Sequence, residues 1–166
     1  TPRFVIQAYE LMEYSGDKDF INKIYPSIKI SIDASIKNHT DSKGYLTHAD
    51  ADTWMDVKRN GIPGSPRGNR ANDIQALWYE QLVAGSKLAM MMNDEASAKS
   101  WEAIASKLKA NFENDYCNKK ESMVYDHLNS DNTPDLQFRP NQLYCFDLIE
   151  DDDFKQKVTR RVWEEL

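Results

Sequence analysis

The chain has 166 residues, 40% hydrophobic and 29% charged, with 27 acidic side chains against 21 basic ones and a net charge of −6. That length suits one domain with its own core rather than two. The acidic balance excludes nucleic acid as the expected partner, because a polyanion binds a basic face, and no run of eighteen apolar residues offers a membrane span.

Helical spacing dominates from the start. Phe4, Val5, Ala8, Leu11 and Met12 form one apolar stripe. Gly16 and Asp17 then supply a helix stop and a new N-cap. A second stripe runs through Ile21, Ile24, Ile28, Ile32 and Ile36; Pro26 inside it predicts either a kink or a later helix start. From Asp41 to Arg70 the pattern breaks. Asp41-Ser42-Lys43-Gly44 is a turn signal, and Gly61, Pro63, Gly64, Pro66 and Gly68 follow closely. So long and specialised a connection is the kind that carries function.

Helical spacing resumes at Ile74, Leu77, Trp78, Leu82 and Ala89, with Met90, Met91 and Met92 placed on its apolar face. Asn93-Asp94-Glu95 opens a further helix bearing Trp101, Ile104, Ala105, Leu108 and Phe112. A second irregular stretch, Asn114 to Phe138, has room for a short hairpin at Met123-Val124-Tyr125. Pro140 suits the first position of a helix reaching Phe146. Asp151-Asp152-Asp153 heads a last helix with Phe154, Val158 and Val162; the acidic run is favourable charge at a helix N-terminus. The fold class is therefore all-α, with helices in pairs joined by short turns and long irregular loops between the pairs.

Three stretches can carry chemistry. In Asp50-Ala51-Asp52-Thr53-Trp54-Met55-Asp56 the spaced aspartates fail as a calcium loop, since Met55 stands where glycine is needed and Gly61 where glutamate is. Trp54 beside Asp56 suits a sugar site: an aromatic ring stacks on a sugar's C–H face, and a carboxyl withdrawn from water protonates a glycosidic oxygen. A core tryptophan with Asp56 as a turn cap satisfies the same spacing. The second stretch, Gly61 to Gly68 leading to Asp73 and Trp78, has no phosphate-loop pattern; it presents Arg67 before an acidic helix start. The third, Arg139-Pro140-Asn141-Gln142, offers directed hydrogen bonds for a polyhydroxylated ligand, or equally for capping. Cys117 and Cys145 match no zinc spacing and read as buried free thiols, and His39, His48 and His127 form no metal-ligand motif. No cofactor or metal is implied.

In their order along the chain, Thr53-Trp54-Met55-Asp56, Ser65-Pro66-Arg67, Asp73-Ile74-Gln75-Ala76-Leu77-Trp78-Tyr79, Asp135 and Arg139-Pro140-Asn141-Gln142 resemble the amylo-α-1,6-glucosidase domain of glycogen debranching enzymes. Thr1-Pro2-Arg3-Phe4-Val5-Ile6 and Tyr125-Asp126 extend the likeness over nearly the whole chain. The resemblance implies an (α/α)6 toroid of six helical hairpins. It also implies hydrolysis, with inversion, of the α-1,6-linked glucose left at a glycogen branch point. Asp56 is then the general acid, with Trp54, Arg67, Asp73, Arg139, Asn141 and Gln142 lining the sugar pocket.

On that reading residues 1–166 are a partial domain, about three hairpins, cut at both ends. The expected partners are an α-glucan or oligosaccharide substrate and the rest of the parent polypeptide, and a glycogen enzyme favours the cytoplasm. Two features depart from the family pattern. Asp73 replaces the usual glutamate, and the family's general base, a glutamate far beyond Arg-Pro-Asn-Gln, lies outside the sequence. Rival readings are an (α/α)6 glycosidase for another α-glucoside, such as an α-1,4-glucan or trehalose, and a non-catalytic glycan-binding or scaffold derivative.

Overall fold

The computed structural model describes residues 2–166. Among them five α-helices and one 3-10 helix form three consecutive pairs. These are α1 (Pro2–Ser15) with α2 (Lys18–His39), α3 (Asn72–Met91) with α4 (Glu95–Tyr116), and the 3-10 helix (Pro140–Leu148) with α5 (Asp152–Glu165). Six two-residue strands lie in the connections: β1 (Lys58–Arg59), β2 (Ile62–Pro63), β3 (Arg70–Ala71), β4 (Cys117–Asn118), β5 (Met123–Val124) and β6 (His127–Leu128). The chain is thus all-α, and its consecutive helix pairs are the helical hairpins expected of an (α/α)6 toroid. No described helix is long and apolar enough to cross a membrane.

The second helix of each pair starts on an aspartate. Asp17 accepts from Phe20 N, Asp94 from Ser97 N and Asp151 from Phe154 N, each satisfying a backbone donor that the first helical turn leaves open. Pro26 does not delay α2, which runs continuously from Lys18 to His39. Pro26 and Asn22 both face solvent, so water can take the carbonyl that proline leaves without a donor. Ile21, Tyr25, Ile28 and Ile32 bury the opposite face and hold the helix together across it.

Helix α3 is the centre of the molecule, packing against α1, α2, α4 and the 3-10 helix. It is buried around most of its circumference, polar Asn72, Asp73, Gln75 and Gln81 included. Trp78, Leu82 and Leu88 of α3 and Trp101, Leu108 and Phe112 of α4 are buried together in one apolar core. Met90 and Met91 are exposed, contrary to the apolar-face reading, because they lie on the outward side of the last turn of α3, whereas Leu88, Ala89 and Met92 face the core.

Between Pro140 and Leu148 the backbone winds as a 3-10 helix, tighter than the α-helix the sequence predicts. Gln142 N bonds the Arg139 carbonyl, an i→i+3 closure, and the Gln142 side chain reinforces it by donating Nε2 to the same oxygen at 2.8 Å. The expected hairpin forms: β4 pairs antiparallel with β5, Cys117 opposite Val124. A second hairpin, β1–β2, turns on Asn60 and Gly61, both at positive φ, as a two-residue hairpin loop of the primed type requires.

Candidate functional site

The long loop from Asp41 to Arg70 is anchored to α3 by hydrogen bonds that begin in the sequence itself. Gln75 Nε2 donates to the Leu46 carbonyl while Gln75 Oε1 accepts from Leu46 N, and Trp78 Nε1 donates to the Gly44 carbonyl. His48 Nε2 accepts from Ala71 N at 2.8 Å, and its Nδ1 faces the Ala49 carbonyl at 2.9 Å. These bonds need the neutral ring with the proton on Nδ1. Burial accordingly lowers the His48 pKa from its ordinary value.

A second connection then crosses this loop. β3 pairs antiparallel with β6, Arg70 opposite Leu128 and Ala71 opposite His127. Gly68 makes the crossing possible. Its φ is +56°, and a Cβ there would stand 2.3 Å from His127 Cδ2 and 2.9 Å from the Leu128 carbonyl oxygen. Arg70 fastens the far side, reaching Asp41 and Asn132 from Nη1.

The crossing brings Arg67, the start of α3, Asp126 and the start of the 3-10 helix to one point. Arg67 is fully buried; its Nε donates to Asp126 Oδ2 at 2.6 Å and its Nη2 to Asp73 Oδ1 at 2.8 Å. Asp73 Oδ2 accepts from Trp54 Nε1 at 3.0 Å and from Asn141 Nδ2 at 3.3 Å. Arg139 Nη1 reaches Asp126 Oδ2 at 3.4 Å. Two guanidiniums therefore face two carboxylates, and the charges balance. Such a network holds its members rigidly in place and offers no surplus charge to an anion.

The sequence-predicted residues fall into two groups. Arg67, Asp73, Asn141 and Gln142 are buried and form the frame. Gln142 is spent on backbone, accepting from Val124 N and donating to the Arg139 carbonyl. Trp54 and Asp56 face outward, with Arg139 half-buried between frame and solvent. Trp54 is 67% exposed, so its ring is tied at one edge to Asp73 and open to solvent elsewhere. Asp56 is exposed and makes no hydrogen bond or ion pair among the described residues. It is not withdrawn from water within this chain, as the Trp54-Asp56 spacing had suggested.

Asp126 is the member that the residue patterns do not single out. It closes the frame between two arginines, and His127 Nδ1 contacts the same oxygen at 3.0 Å. The available signal is a carboxylate ending the apolar strand Met123-Val124-Tyr125, a place where an unpaired charge is costly. Asp126, His127 and Asp135 converge closely enough to hold an ion. The guanidiniums on Asp126 already supply that positive charge. The two cysteines are free thiols: burial pushes Cys117 up to about 12, and Cys145 well above its ordinary value.

Comparison with known proteins agrees with this architecture. The fold is similar to a GH78 family rhamnosidase of Bacillus sp. GL1, with a TM-score of 0.77 and 14% sequence identity. That match covers 98% of this chain but 17% of the rhamnosidase chain, so the sequence corresponds to about one sixth of that protein's length. No curated protein matches the sequence significantly. The family model for amylo-alpha-1,6-glucosidase matches residues 2–166. The chain accordingly belongs to the amylo-α-1,6-glucosidase family and is a glycoside-hydrolase-related domain.

Proposed function

We propose that this chain is the acid-bearing part of an inverting glycosidase that removes α-1,6-linked glucose at glycogen branch points, with Asp56 as general acid. One observation carries the reading. An outward-facing indole is tied by Asp73 to a charge-neutral Arg/Asp frame, and the next carboxyl along the loop, Asp56, is free of partners. A ring open on its face suits stacking on a sugar, and a frame without surplus charge suits an uncharged, hydroxyl-rich ligand. Arg139, half-buried at the frame's edge, donates toward sugar hydroxyls, while Arg67, Asp73, Asn141 and Gln142 hold the shape beneath.

The same reading makes residues 1–166 about three of six hairpins. Phe4, Leu11 and Tyr144 expose large apolar surface that the remaining hairpins of the parent cover. Those hairpins also bring the general base, and they withdraw Asp56 from water so that it stays protonated until it acts. Inversion needs two carboxyls about 6.5–9.5 Å apart with room for a water. The isolated chain is therefore inactive. Asp73 in place of the family's glutamate shortens that side chain by one methylene, and its Oδ2 is met halfway by Trp54 and Asn141.

The test is a substrate screen of the parent protein on branched limit dextrin, linear maltooligosaccharide and trehalose. The proposal predicts glucose release from limit dextrin with β-anomer as first product. Preference for a linear glucan or trehalose assigns another glycosidase activity, and binding without turnover on any of them assigns a scaffold. Hydrolysis of limit dextrin by the 166 residues alone contradicts the missing-base reading.

A further inference from the structure

Met55 stands between the two site residues that face solvent, and its environment is unusual for a thioether. Three N–H donors converge on its Sδ: Arg67 Nη1 at 3.6 Å, Arg139 Nη1 at 3.7 Å and Asn141 Nδ2 at 3.9 Å. Among the described residues Arg67 Nη1 has no other acceptor, although the guanidinium is fully buried. The rest of the loop is fixed on both sides. Thr53 Oγ1 accepts from Met55 N, Trp54 Nε1 donates to Asp73, and Gly64 N donates to the Val57 carbonyl. Asp56, between Met55 and Val57, has no side-chain partner of its own, so its position is set by its neighbours.

We propose that Met55 is a positioning residue whose sulfur, gripped by Arg67, Arg139 and Asn141, clamps the Thr53–Val57 loop onto the frame and so places Asp56 for proton transfer. A thioether is a weak acceptor on a flexible stem. It takes three donors without the charge that a carboxylate would add to a balanced frame. Leucine matches its size but offers no acceptor, so a buried guanidinium N–H is stranded and the loop loses its hold. The inference rests on the glycosidase reading for its catalytic consequence, and on geometry alone for the clamp.

The test uses the parent protein with Met55→Leu and Met55→Gln, the latter restoring an acceptor oxygen at similar reach. Hydrogen–deuterium exchange reads the clamp without reference to activity. In Met55→Leu, exchange over residues 53–57 speeds by about tenfold while α3 and α4 keep their protection. Met55→Gln recovers at least part of that protection. Unchanged exchange in Met55→Leu, or loosening spread equally through α3 and α4, overturns the proposal. Kinetics on limit dextrin read the consequence: Met55→Leu lowers kcat by about tenfold with KM within about threefold, and Met55→Gln recovers part of the loss. A rise in KM alone, or equal losses in both variants, overturns it too. A parent without α-1,6-glucosidase activity contradicts the glycosidase reading, and the exchange result still decides the clamp.

Discussion

Arg67 donates from Nε to Asp126 Oδ2 at 2.6 Å, and neither side chain has any solvent exposure. The two residues stand 59 positions apart, so the bond exists because β3 pairs with β6. It joins the long loop that carries Trp54 and Asp56 to the connection leading into Arg139. Removing one partner strands a buried charge, which costs far more than the pair contributes net. We predict that Asp126→Ala destabilises the fold by about 3–5 kcal/mol, measured by urea unfolding. A loss near zero means the Arg67 guanidinium is satisfied by Asp73 alone.

Gly68 stands at that same crossing. We predict that Gly68→Ala costs about 1–3 kcal/mol, because positive φ and a backbone oxygen 2.9 Å from the new Cβ act together. Gly16 also has positive φ, but nothing lies within 4 Å of the position a Cβ would take. Gly16→Ala should therefore cost about 1 kcal/mol, the conformational part alone. Equal losses in the two variants would mean that the close approach of the Leu128 carbonyl is not a constraint.

His48 gives the stability a pH dependence with a defined sign. Its folded-state pKa lies below the ordinary value of 6.5, through burial. Its contribution is thus fully present above about pH 6.5 and is lost as the pH falls from there through the folded value, since the unfolded chain takes the proton first. Protonation also puts a hydrogen on Nε2, where the Ala71 N–H points. Urea midpoints at pH 7.5 and 5.5 should separate in the wild type and draw together in His48→Gln. A wild-type midpoint that rises on acidification reverses the assignment.

Trp54 separates stacking from hydrogen bonding. Trp54→Phe keeps a ring and loses the Nε1 bond to Asp73, whereas Trp54→Ala loses both. For the parent protein we predict that Trp54→Ala weakens oligosaccharide binding by about tenfold, the scale of one aromatic contact, with a smaller loss in Trp54→Phe. Titration calorimetry of a branched oligosaccharide reads both, and unaltered affinity in Trp54→Ala removes the indole from the ligand's path.

The helices were legible because a 3.6-residue apolar period and aspartate caps are local signals. Asp17, Asp94 and Asp151 each stand where a helix begins. The β1–β2 hairpin was legible in principle from Asn60-Gly61, a pair that favours positive φ, but glycine and proline on both sides drew it into one irregular loop. The 3-10 winding at Pro140 was not, since it depends on the Gln142 side chain folding back onto Arg139. Arg67, Asp73, Arg139 and Asn141 carried their polarity in the sequence, yet their sharing of one frame depends on the β3–β6 pairing between distant segments. Asp126 stayed hidden for that reason: a carboxylate at a strand end reveals its partner only when the chain closes.

In the proposed reaction Asp56 donates the proton to the leaving glucan. The most direct measurement is limit-dextrin hydrolysis by the parent protein carrying Asp56→Asn, with oligosaccharide binding measured alongside. We predict a fall in kcat of about 100-fold or more, the range of general-acid contributions, with binding retained. Turnover near the wild-type rate would contradict it, and would leave Asp56 an exposed loop carboxylate beside a site whose acid lies elsewhere.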